Sequence, residues 1–473
     1  MPSPPLVVNL NRTLVKTDLL IEALVVLLKQ NPLYFLLIPF WMGKGKGYLQ
    51  QQIARRVSLD VGVLPYQSHL LDYLRNQRAH RRQLVLTTTH DERLARQVAD
   101  HLQLFDMVLG SNGSTPLSAA TRRDHLVTVF GEKGFDYAGS SHSDLAIWAA
   151  ARRAIVVNPQ RHVQSVVSQL AEVERVFADR QSSFRLCLRA LRLHQWVKNL
   201  LVFVPLLTAH RMPDLRLLTQ TSLAFIAFGL CASSVYLLND LLDLSADRHH
   251  PHKRQRPFAS GELSLATGLV LIPLLLGLSG LVSLGLPPAF LGMLGLYYST
   301  TLAYSFVLKR VAPLDVLLLA GLYTVRLLAG SAATALWPSP WLLAFSTFLF
   351  LSLALVKRYA ELVIVMRAVG AEAARARGYQ ADDRELITAM GIASGYVAVV
   401  VLALYITGVA AQRFHSQQEA IWLLCPLLLY WISYMWLIAR RGGMHDDPVV
   451  FALKNRGSVL VIVGMALVFM IAL

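Results

Sequence analysis

The chain has 473 residues, enough for more than one domain, with 55% hydrophobic and 16% charged residues. Together with a mean hydropathy of +0.46, this composition excludes an ordinary soluble enzyme and predicts a polytopic membrane protein. The net charge of +16 is explained by basic cytoplasmic loops and by binding of anionic lipid or phosphate, so no nucleic-acid partner is expected. The three cysteines show no paired spacing, which argues against a disulfide framework and against a thiolate metal site.

The residues before about position 185 alternate short apolar strands with helical stretches. Four strands are predicted, at Leu6 to Val8, Gln83 to Leu86, Phe135 to Ala138 and Ala154 to Val157. This alternation indicates an α/β domain with a parallel sheet over residues 1–182, whose polar site lies at the carboxyl ends of the strands.

Polar loops follow these strands: N-L-N-R-T from Asn9, T-T-T-H from Thr87, and G-S-S-H-S-D ending at Asp144. Over residues 5–160 this pattern resembles the haloacid dehalogenase-like phosphatases. In that family the first strand ends in D-x-D-G-T, the second ends in Ser or Thr, and a later loop carries acids after an upstream Lys.

The chain departs from that family at the positions that carry the chemistry. Asn9 stands at the nucleophile position, Asn11 at the acid/base position, and Ser140 replaces the first acid of the later loop. Arg122 or Arg123 stands near the expected Lys. Because a carboxamide neither forms an aspartyl-phosphate nor binds Mg²⁺ as a carboxylate does, we expect this domain to lack phosphatase activity.

An apolar stretch runs from Leu19 to Trp41 and is interrupted by Lys29 and Pro32. It is too broken for a membrane span, so we expect a hydrophobic cap that lies on the bilayer or on the second domain. The N-terminus has neither the basic flank nor the cleavage site of a secretory signal, and the first domain is therefore expected to be cytoplasmic.

The second predicted domain, residues 183–473, is an all-α polytopic bundle of nine transmembrane helices. The spans are placed at 196–210, 216–238, 264–284, 287–307, 312–334, 340–356, 388–411, 418–438 and 456–473. Alternate loops carry most of the Lys and Arg, which predicts a multi-pass protein of the inner (plasma) membrane with these loops in the cytoplasm and the C-terminus outside.

The strongest chemical signal follows the second span, in the stretch from Asn239 to Gly261. Asp240, Asp243 and Asp247 recur at i, i+3 and i+7, which places them on one helix face with Asn239 at its edge. Oxygen-only ligands suit Mg²⁺, which takes its other ligands from phosphate oxygens, so the cluster predicts a diphosphate substrate. The next residues supply basic groups: Arg248, Lys253, Arg254 and Arg256.

Over residues 185–473 the chain resembles the UbiA superfamily of intramembrane prenyltransferases. The resemblance rests on R-L-H-Q-W-V-K-N at 192–199, which includes Lys198, and on N-D-x-x-D-x-x-x-D with its H-P-x-K-R-x-R-P-x-A-S-G continuation. It implies that Asp240, Asp243 and Asp247 are catalytic residues that bind Mg²⁺ and the diphosphate of the donor, and that Asn239 orients them.

Members that prenylate aromatic acceptors carry a second D-x-x-x-D motif, where this chain has K-R-Y-A-E-L from Lys357 to Leu362. This sequence resembles the decaprenyl-phosphate phosphoribosyltransferase branch, which implies phosphoribosyl pyrophosphate as donor, polyprenyl phosphate as acceptor and a role in cell-envelope biosynthesis. The phosphate-rich substrates call for many cations. Candidate substrate-binding residues are Lys198, Lys253, Arg254, Arg256, Arg326, Lys357, Arg358 and Glu361.

Within these, Lys253, Arg254 and Arg256 are assigned to donor phosphates, and Lys357 with Arg358 to the acceptor phosphate or the leaving diphosphate. A guanidinium inside an apolar span needs an anionic partner, which for Arg326 is either substrate or a nearby acid such as Asp315. Two other functions stay open: an aromatic-acceptor prenyltransferase that uses a polyprenyl diphosphate, and an ion-coupled transporter. The sequence leaves open whether the protein is a homo-oligomer.

Overall fold

The structure is a computed structural model that describes residues 3–111, 118–160, 162–178, 182–369, 379–380, 382–408, 418–444 and 447–472. The chain divides into two compact units, the first comprising Met1–Leu191 with Leu237–Leu271, the second Arg192–Tyr236 with Ile272–Leu473. The domains 1–182 and 183–473 stay a prediction. In the structure, the segment Leu237–Leu271 groups with the N-terminal residues, which no local sequence pattern indicates.

The first unit is an α/β structure. Its strands are β1 Leu6–Asn9, β2 Leu84–Asp91, β3 Met107–Ser111, β4 Asp136–Gly139, β5 Arg153–Val157 and β6 Glu172–Phe177. Its helices are α1 Leu19–Gln30, α2 Tyr34–Gly43, α3 Lys46–Ala54, α4 Ser68–Ala79, α5 Glu92–Leu102, α6 Ala119–Phe130, α7 Leu145–Ala150, α8 Val163–Leu170 and α9 Ser183–Leu191.

The predicted parallel α/β sheet is confirmed. All neighbouring strands pair in parallel, in the order β3-β2-β1-β4-β5-β6. Successive residues of a strand point to opposite faces, so Leu6 and Val8 contact one apolar cluster while Val7 contacts the other. Burial on both faces explains why the central strands are continuous apolar runs. The register aligns Asn9 with Thr87, which brings the polar ends of β1 and β2 together.

The second unit is helical, and two of its helices extend into residues grouped with the first unit. In chain order the remaining helices are α10 Val204–Thr208, α11 Leu215–Leu242, α12 Leu244–His249, α13 Leu265–Ser283, α14 Pro288–Phe306, α15 Leu314–Thr334, α16 Pro340–Val369, α17 Asp383–Thr407, α18 Gln418–Ile421, α19 Leu424–Arg440, α20 Pro448–Lys454 and α21 Arg456–Ala472. A 3₁₀ helix of 11 residues occupies Leu193–Phe203, and three-residue 3₁₀ helices occupy Val61–Val63, His142–Asp144, Lys253–Gln255 and Leu308–Arg310.

Five helices among the described residues are long and apolar enough to cross a membrane. They are α11, α13, α15, the Pro340–Ile364 part of α16, and α17. A sixth span is formed if α20 and the following helix, which meet at a bend of 86°, are counted as one. Large apolar side chains such as Val270 and Leu281 are exposed on α13, as lipid-facing residues are.

The prediction of nine transmembrane helices is not confirmed. At 196–210 the structure has the 3₁₀ helix Leu193–Phe203 followed by the five-residue α10, which is too short to span. The close approach of Gly330 to this segment helps to explain its geometry, because a Cβ on Gly330 would lie 2.0 Å from the Val202 carbonyl oxygen. At 418–438 the structure has only α18 and the 17-residue α19. The predicted spans 388–411 and 456–473 extend beyond the described residues.

The apolar stretch 19–41 forms two helices with different surroundings. On α1, Leu19 and Leu27 are buried in the core of the first unit. Most large side chains at 33–42 are exposed, with Leu36 at 71% and Phe35 at 68%. An apolar surface of this kind is typical of a segment covered by lipid or by another protein surface, so the predicted cap stays a prediction for α2.

Candidate functional site

The acidic residues lie where α11 gives way to α12. The helical hydrogen bonds continue through this junction, because the Asp243 amide donates to Asn239 O at 2.9 Å and the Asp247 amide donates to Asp243 O at 2.8 Å. Asp240 and Asp247 are buried, whereas the Asp243 side chain is 28% exposed. The Asn239 side chain makes no hydrogen bond with any residue that the structure describes.

Two of the three carboxylates converge on a single cationic nitrogen. Arg256 Nη1 donates to Asp240 Oδ1 at 3.1 Å and to Asp247 Oδ2 at 2.6 Å. Burial raises the pKa of the Asp247 carboxyl; the Arg256 charge opposes this effect and the neighbouring Asp240 charge reinforces it. The site therefore holds two desolvated carboxylates that require a cation between them.

The third carboxylate, Asp243, pairs with Lys29 of the first unit. Lys29 Nζ on α1 lies 3.5 Å from Asp243 Oδ1. Within the described parts of the chain, no group of three or more His, Cys, Asp or Glu residues is arranged to hold a metal ion. Mg²⁺ nevertheless binds through one or two carboxylates plus substrate phosphates, and the all-oxygen pair Asp240 and Asp247 fits that requirement.

The basic residues after α12 have separate positions. Lys253 and Arg254 lie on the 3₁₀ turn that precedes Arg256. Arg254 lines a cavity of about 540 Å³ together with Arg189 and Arg248. Arg254 is exposed and its guanidinium makes no hydrogen bond or ion pair with the residues that the structure describes, so it is available to an anion. The structure thus separates Arg256, which contacts the carboxylates, from Arg254, which lines the cavity.

In the second unit Lys198 and Lys357 share one buried acid, Asp447. Lys198 Nζ lies 2.8 Å from Asp447 Oδ2 and Lys357 Nζ lies 3.5 Å from the same oxygen. Tyr323 donates a hydrogen bond to Asp447 Oδ1 at 3.1 Å. Burial alone would raise the pKa of Asp447, but the two ammonium groups outweigh it and hold that pKa well below the ordinary aspartate value.

Arg358 belongs to a second buried cluster. Its guanidinium pairs with Asp315, and its Nη1 donates to Glu361 Oε2 at 2.6 Å. Tyr379 donates to the other oxygen of Asp315. Arg358 and Glu361, both predicted to bind substrate, are therefore paired with each other, and Asp315 neutralises Arg358 rather than Arg326.

Arg326 is buried without a carboxylate partner among the residues described. Its Nε donates to Asn199 Oδ1 at 3.0 Å and its Nη2 donates to the Tyr297 hydroxyl at 3.1 Å. The rings of Phe228, Tyr297 and Tyr323 lie 5.2, 4.8 and 5.6 Å from its guanidinium carbon. Aromatic faces attract a cation but do not cancel its charge, so this position favours an anionic ligand.

In the first unit the predicted degenerate phosphatase residues meet at the carboxyl edge of the sheet. Asn9 Nδ2 donates to Asp144 Oδ1 at 3.0 Å, and Asn11 Nδ2 donates to Thr88 Oγ1 at 3.2 Å rather than to Thr87. Arg122, not Arg123, reaches this site: its Nη1 and Nη2 lie 3.4 Å from Asn9 Oδ1 and Asp144 Oδ1.

Asp144 has no spare coordination capacity. Its Oδ1 accepts from Tyr137 at 2.9 Å as well as from Asn9, and its Oδ2 accepts from the amides of Ser140 and Ser141 and from the Ser141 hydroxyl. The buried guanidinium of Arg122 supplies the local positive charge. This arrangement is closed to a metal ion by hydrogen bonds that are already made.

Sequence reasoning missed several charged residues of these clusters. Glu22, Lys29 and Asp447 contact predicted site residues through tertiary structure, so no spacing rule reveals them. Asp447 precedes Pro448, which is typical of a helix start, and its side chain does cap α20 by accepting from the Val449 amide. The capping position does not indicate that Asp447 also pairs with Lys198 and Lys357.

Comparison with known proteins gives one family match. The profile described as the UbiA prenyltransferase family matches residues 200–455. The uncharacterised protein y4nM of Sinorhizobium fredii is 36% identical over 96% of this chain and 88% of its own length, so the similarity includes the N-terminal half. The nodulation protein NoeC of Azorhizobium caulinodans is 36% identical over 59% of this chain and 90% of its own length.

Two further similarities concern a phosphoribosyltransferase and a ligand-bound solved structure. The decaprenyl-phosphate phosphoribosyltransferase of Mycobacterium tuberculosis H37Rv is 30% identical over 57% of this chain and 87% of its own length. A solved structure of a UbiA homolog from Archaeoglobus fulgidus bound to GPP and Mg²⁺ is 15% identical, covers 61% of this chain and 99% of its own, and has a TM-score of 0.47.

Proposed function

Because the chain belongs to the UbiA prenyltransferase family of integral membrane transferases, we propose that it transfers a phosphoribosyl group from phosphoribosyl pyrophosphate to a polyprenyl phosphate. The proposal divides the work between two sets of residues. The acidic segment binds the diphosphate of the donor with Mg²⁺, and the buried cations of the helical unit bind phosphate groups of the substrates.

The observation that carries the choice of donor is the basic sequence at the place of the second acidic motif. Lys357 and Arg358 stand there, and both are paired with acids: Lys357 with Asp447, and Arg358 with Asp315 and Glu361. Glu361 is committed to Arg358, so this place lacks the pair of carboxylates that a second metal ion would use. The named phosphoribosyltransferase relative, at 30% identity, supports the same branch.

Asp240 and Asp247 are the residues that would hold Mg²⁺, with Asp243 as a third candidate. When bound, the ion would neutralise the diphosphate and make it a better leaving group. Arg256 contacts both carboxylates at 3.1 and 2.6 Å and is placed to pair with either the carboxylates or a donor phosphate. Arg254 lines the neighbouring cavity of about 540 Å³, which provides a position for a further phosphate of the donor.

Arg326 is the candidate for a substrate phosphate within the helical unit. It is buried, has no carboxylate partner among the described residues and is surrounded by aromatic rings. Lys198 and Lys357 carry two positive charges against the single charge of Asp447, which leaves a net cation at that cluster as well. Because a polyprenyl phosphate is an anion near neutral pH, attack on the anomeric carbon needs no strong general base in this scheme.

The N-terminal half is proposed to be a haloacid dehalogenase-like domain without phosphatase activity that lies in the cytoplasm. Amides in place of both acids, together with the hydrogen-bonded Asp144, support the loss of activity. The basic loops support the same orientation for the membrane helices in the inner membrane.

The test is a transfer assay on the purified full chain in lipid nanodiscs, with radiolabelled phosphoribosyl pyrophosphate, decaprenyl phosphate and Mg²⁺. We expect labelled lipid from the wild type, none in EDTA and at least about a hundredfold less from Asp240→Asn. Asp214→Asn is the matched control, because among the described residues the Asp214 side chain contacts only the amides of Arg216 and Leu217, which it caps at the opposite end of α11. Undiminished transfer by Asp240→Asn would contradict the assigned role.

A further inference from the structure

The acidic segment packs with the N-terminal half of the chain in one compact unit. Residues Leu237–Leu271 group with Met1–Leu191, although they lie at the ends of two long membrane helices. Three kinds of contact hold them there: a buried ion pair, a second charge contact, and a close backbone approach. All three come from residues near the start of the chain.

The buried ion pair joins Glu22 on α1 to Arg248 on α12. Both side chains are 5% exposed, and the contact is two-pronged, because Nη1 of Arg248 pairs with Glu22 Oε1 while Nη2 donates to Glu22 Oε2 at 3.2 Å. Thr17 supports Glu22 with a hydrogen bond of 2.8 Å to Oε2. A fork-to-fork pair fixes direction as well as distance, so α12 is held in one orientation.

Arg248 also fixes the residues that follow it. Its Nε donates to the Ala259 carbonyl at 3.0 Å, which ties α12 to the end of the basic stretch. Arg248 directly follows Asp247 in the sequence. Arg256 lies between Arg248 and Ala259, the two residues that this hydrogen bond joins. The geometry of Asp247 and Arg256, 2.6 Å apart, therefore depends on a residue that Glu22 anchors.

Two other contacts come from the same part of the first unit. Lys29, two helical turns after Glu22 on α1, lies 3.5 Å from Asp243. Gly261 has a φ of +73°, and a Cβ there would meet Lys16 Cβ at 2.7 Å and Pro65 Cγ at 3.0 Å. The final glycine of the A-S-G sequence thus permits close packing against residues before and after α1.

We propose that Glu22 is a positioning residue of the donor site: through Arg248 it fixes the orientation of Asp247 and Arg256, and Lys29 on the same helix directs Asp243. The inference rests on the proposed function, since it assumes that these carboxylates bind Mg²⁺ with a diphosphate. It gives the N-terminal half a role that does not require phosphatase chemistry. The role is assigned to the side chains of Glu22 and Lys29 and not to the N-terminal half as a whole.

The test compares Glu22→Gln with Asp136→Asn in the full-length protein. Asp136 is a matched control, because it is a buried carboxylate of the same unit that pairs with Arg82 and Arg152, away from residues 237–271. Mn²⁺ binding in the presence of inorganic pyrophosphate is measured by electron paramagnetic resonance, and hydrogen exchange is measured for the amides of 243–256.

We expect Glu22→Gln to weaken Mn²⁺ binding by about tenfold, the usual size of an outer-shell effect, and to raise exchange across 243–256. Asp136→Asn leaves both readouts at the wild-type level, and Thr17→Val, which removes one hydrogen bond to Glu22, gives an intermediate effect. We also expect Glu22→Gln to raise the KM for phosphoribosyl pyrophosphate by a larger factor than it lowers kcat.

The outcomes separate the two claims. If the wild type binds Mn²⁺ with pyrophosphate and Glu22→Gln binds it equally well, the positioning role is overturned while the proposed function stands. If Glu22→Gln and Asp136→Asn weaken binding alike, the effect is general destabilisation and the inference is again overturned. If the wild type binds no metal with pyrophosphate, the proposed donor site fails, and the inference fails with it.

Discussion

Neutralising Asp447 removes the single carboxylate that Lys198 and Lys357 share, and the consequence follows from the distances. At an effective dielectric constant of about 20, Lys198 at 2.8 Å gains about 6 kcal/mol and Lys357 at 3.5 Å about 5 kcal/mol from Asp447. Desolvation of the three groups cancels much of this attraction. We therefore expect Asp447→Asn to cost about 3–5 kcal/mol, the usual loss when a buried ion pair is broken on one side.

The assay is thermal unfolding of the purified protein, followed by size-exclusion chromatography after heating. A loss of this size lowers the melting temperature by roughly 6–10 °C in a domain of about 250 residues, which is the size of the second unit. Asn caps a helix as well as Asp, so the cap on the Val449 amide is retained and the substitution isolates the charge. Asp214→Asn, the same exchange at another helix cap, is expected to leave the melting temperature within about 1 °C.

The pH dependence gives a further check. A carboxyl whose pKa is lowered by folding stabilises the protein above its unfolded-state pKa, and this contribution is lost as the pH falls through the folded-state value. The pKa of Asp447 lies well below that of a free aspartate. The difference between wild type and Asp447→Asn is therefore constant between about pH 6 and pH 8 and shrinks only in acid. An unchanged melting temperature for Asp447→Asn would refute the reasoning.

Three other predictions follow from the charged clusters. Arg326→Met should raise the KM for polyprenyl phosphate by at least about tenfold, the effect of losing one charge-assisted hydrogen bond, while Arg326→Lys retains part of the affinity; equal KM values for all three proteins would exclude a phosphate contact. Asn9→Asp with Asn11→Asp should not create hydrolysis of p-nitrophenyl phosphate with Mg²⁺, because Arg122 and the donors to Asp144 remain, and hydrolysis by the double variant would show that the site is open. A chain that starts at Ser183 should lose most transfer activity, because Glu22 and Lys29 are absent; full activity would make the N-terminal half dispensable for catalysis.

The sequence was informative where a local rule governs the structure. Continuous apolar runs such as Leu6 to Val8 predict strands buried on both faces, and the parallel sheet has that arrangement. Helical spacing placed Asp240 and Asp247 on a common face, and they meet at Arg256. These outcomes depend on neighbours within a few residues or on simple burial.

Tertiary partners were beyond the reach of spacing rules. Lys29 and Asp243 are 214 positions apart, and Glu22 and Arg248 are 226 apart, so nothing local links them. The same limit explains why Asp315 was suggested for Arg326 but binds Arg358. Hydropathy also placed a membrane span at 196–210, where the structure has a 3₁₀ helix and a short α-helix instead of one long helix.

The central claim is the identity of the donor, and one competition experiment addresses it directly. The wild-type protein in nanodiscs receives phosphoribosyl pyrophosphate with decaprenyl phosphate and, in the same vessel, decaprenyl diphosphate with 4-hydroxybenzoate, and the lipid products are identified by mass spectrometry. The account predicts decaprenyl-phosphate carrying one phosphoribosyl group, formed only with Mg²⁺ and lost in Asp240→Asn. Prenylated 4-hydroxybenzoate without any phosphoribosyl lipid would contradict it.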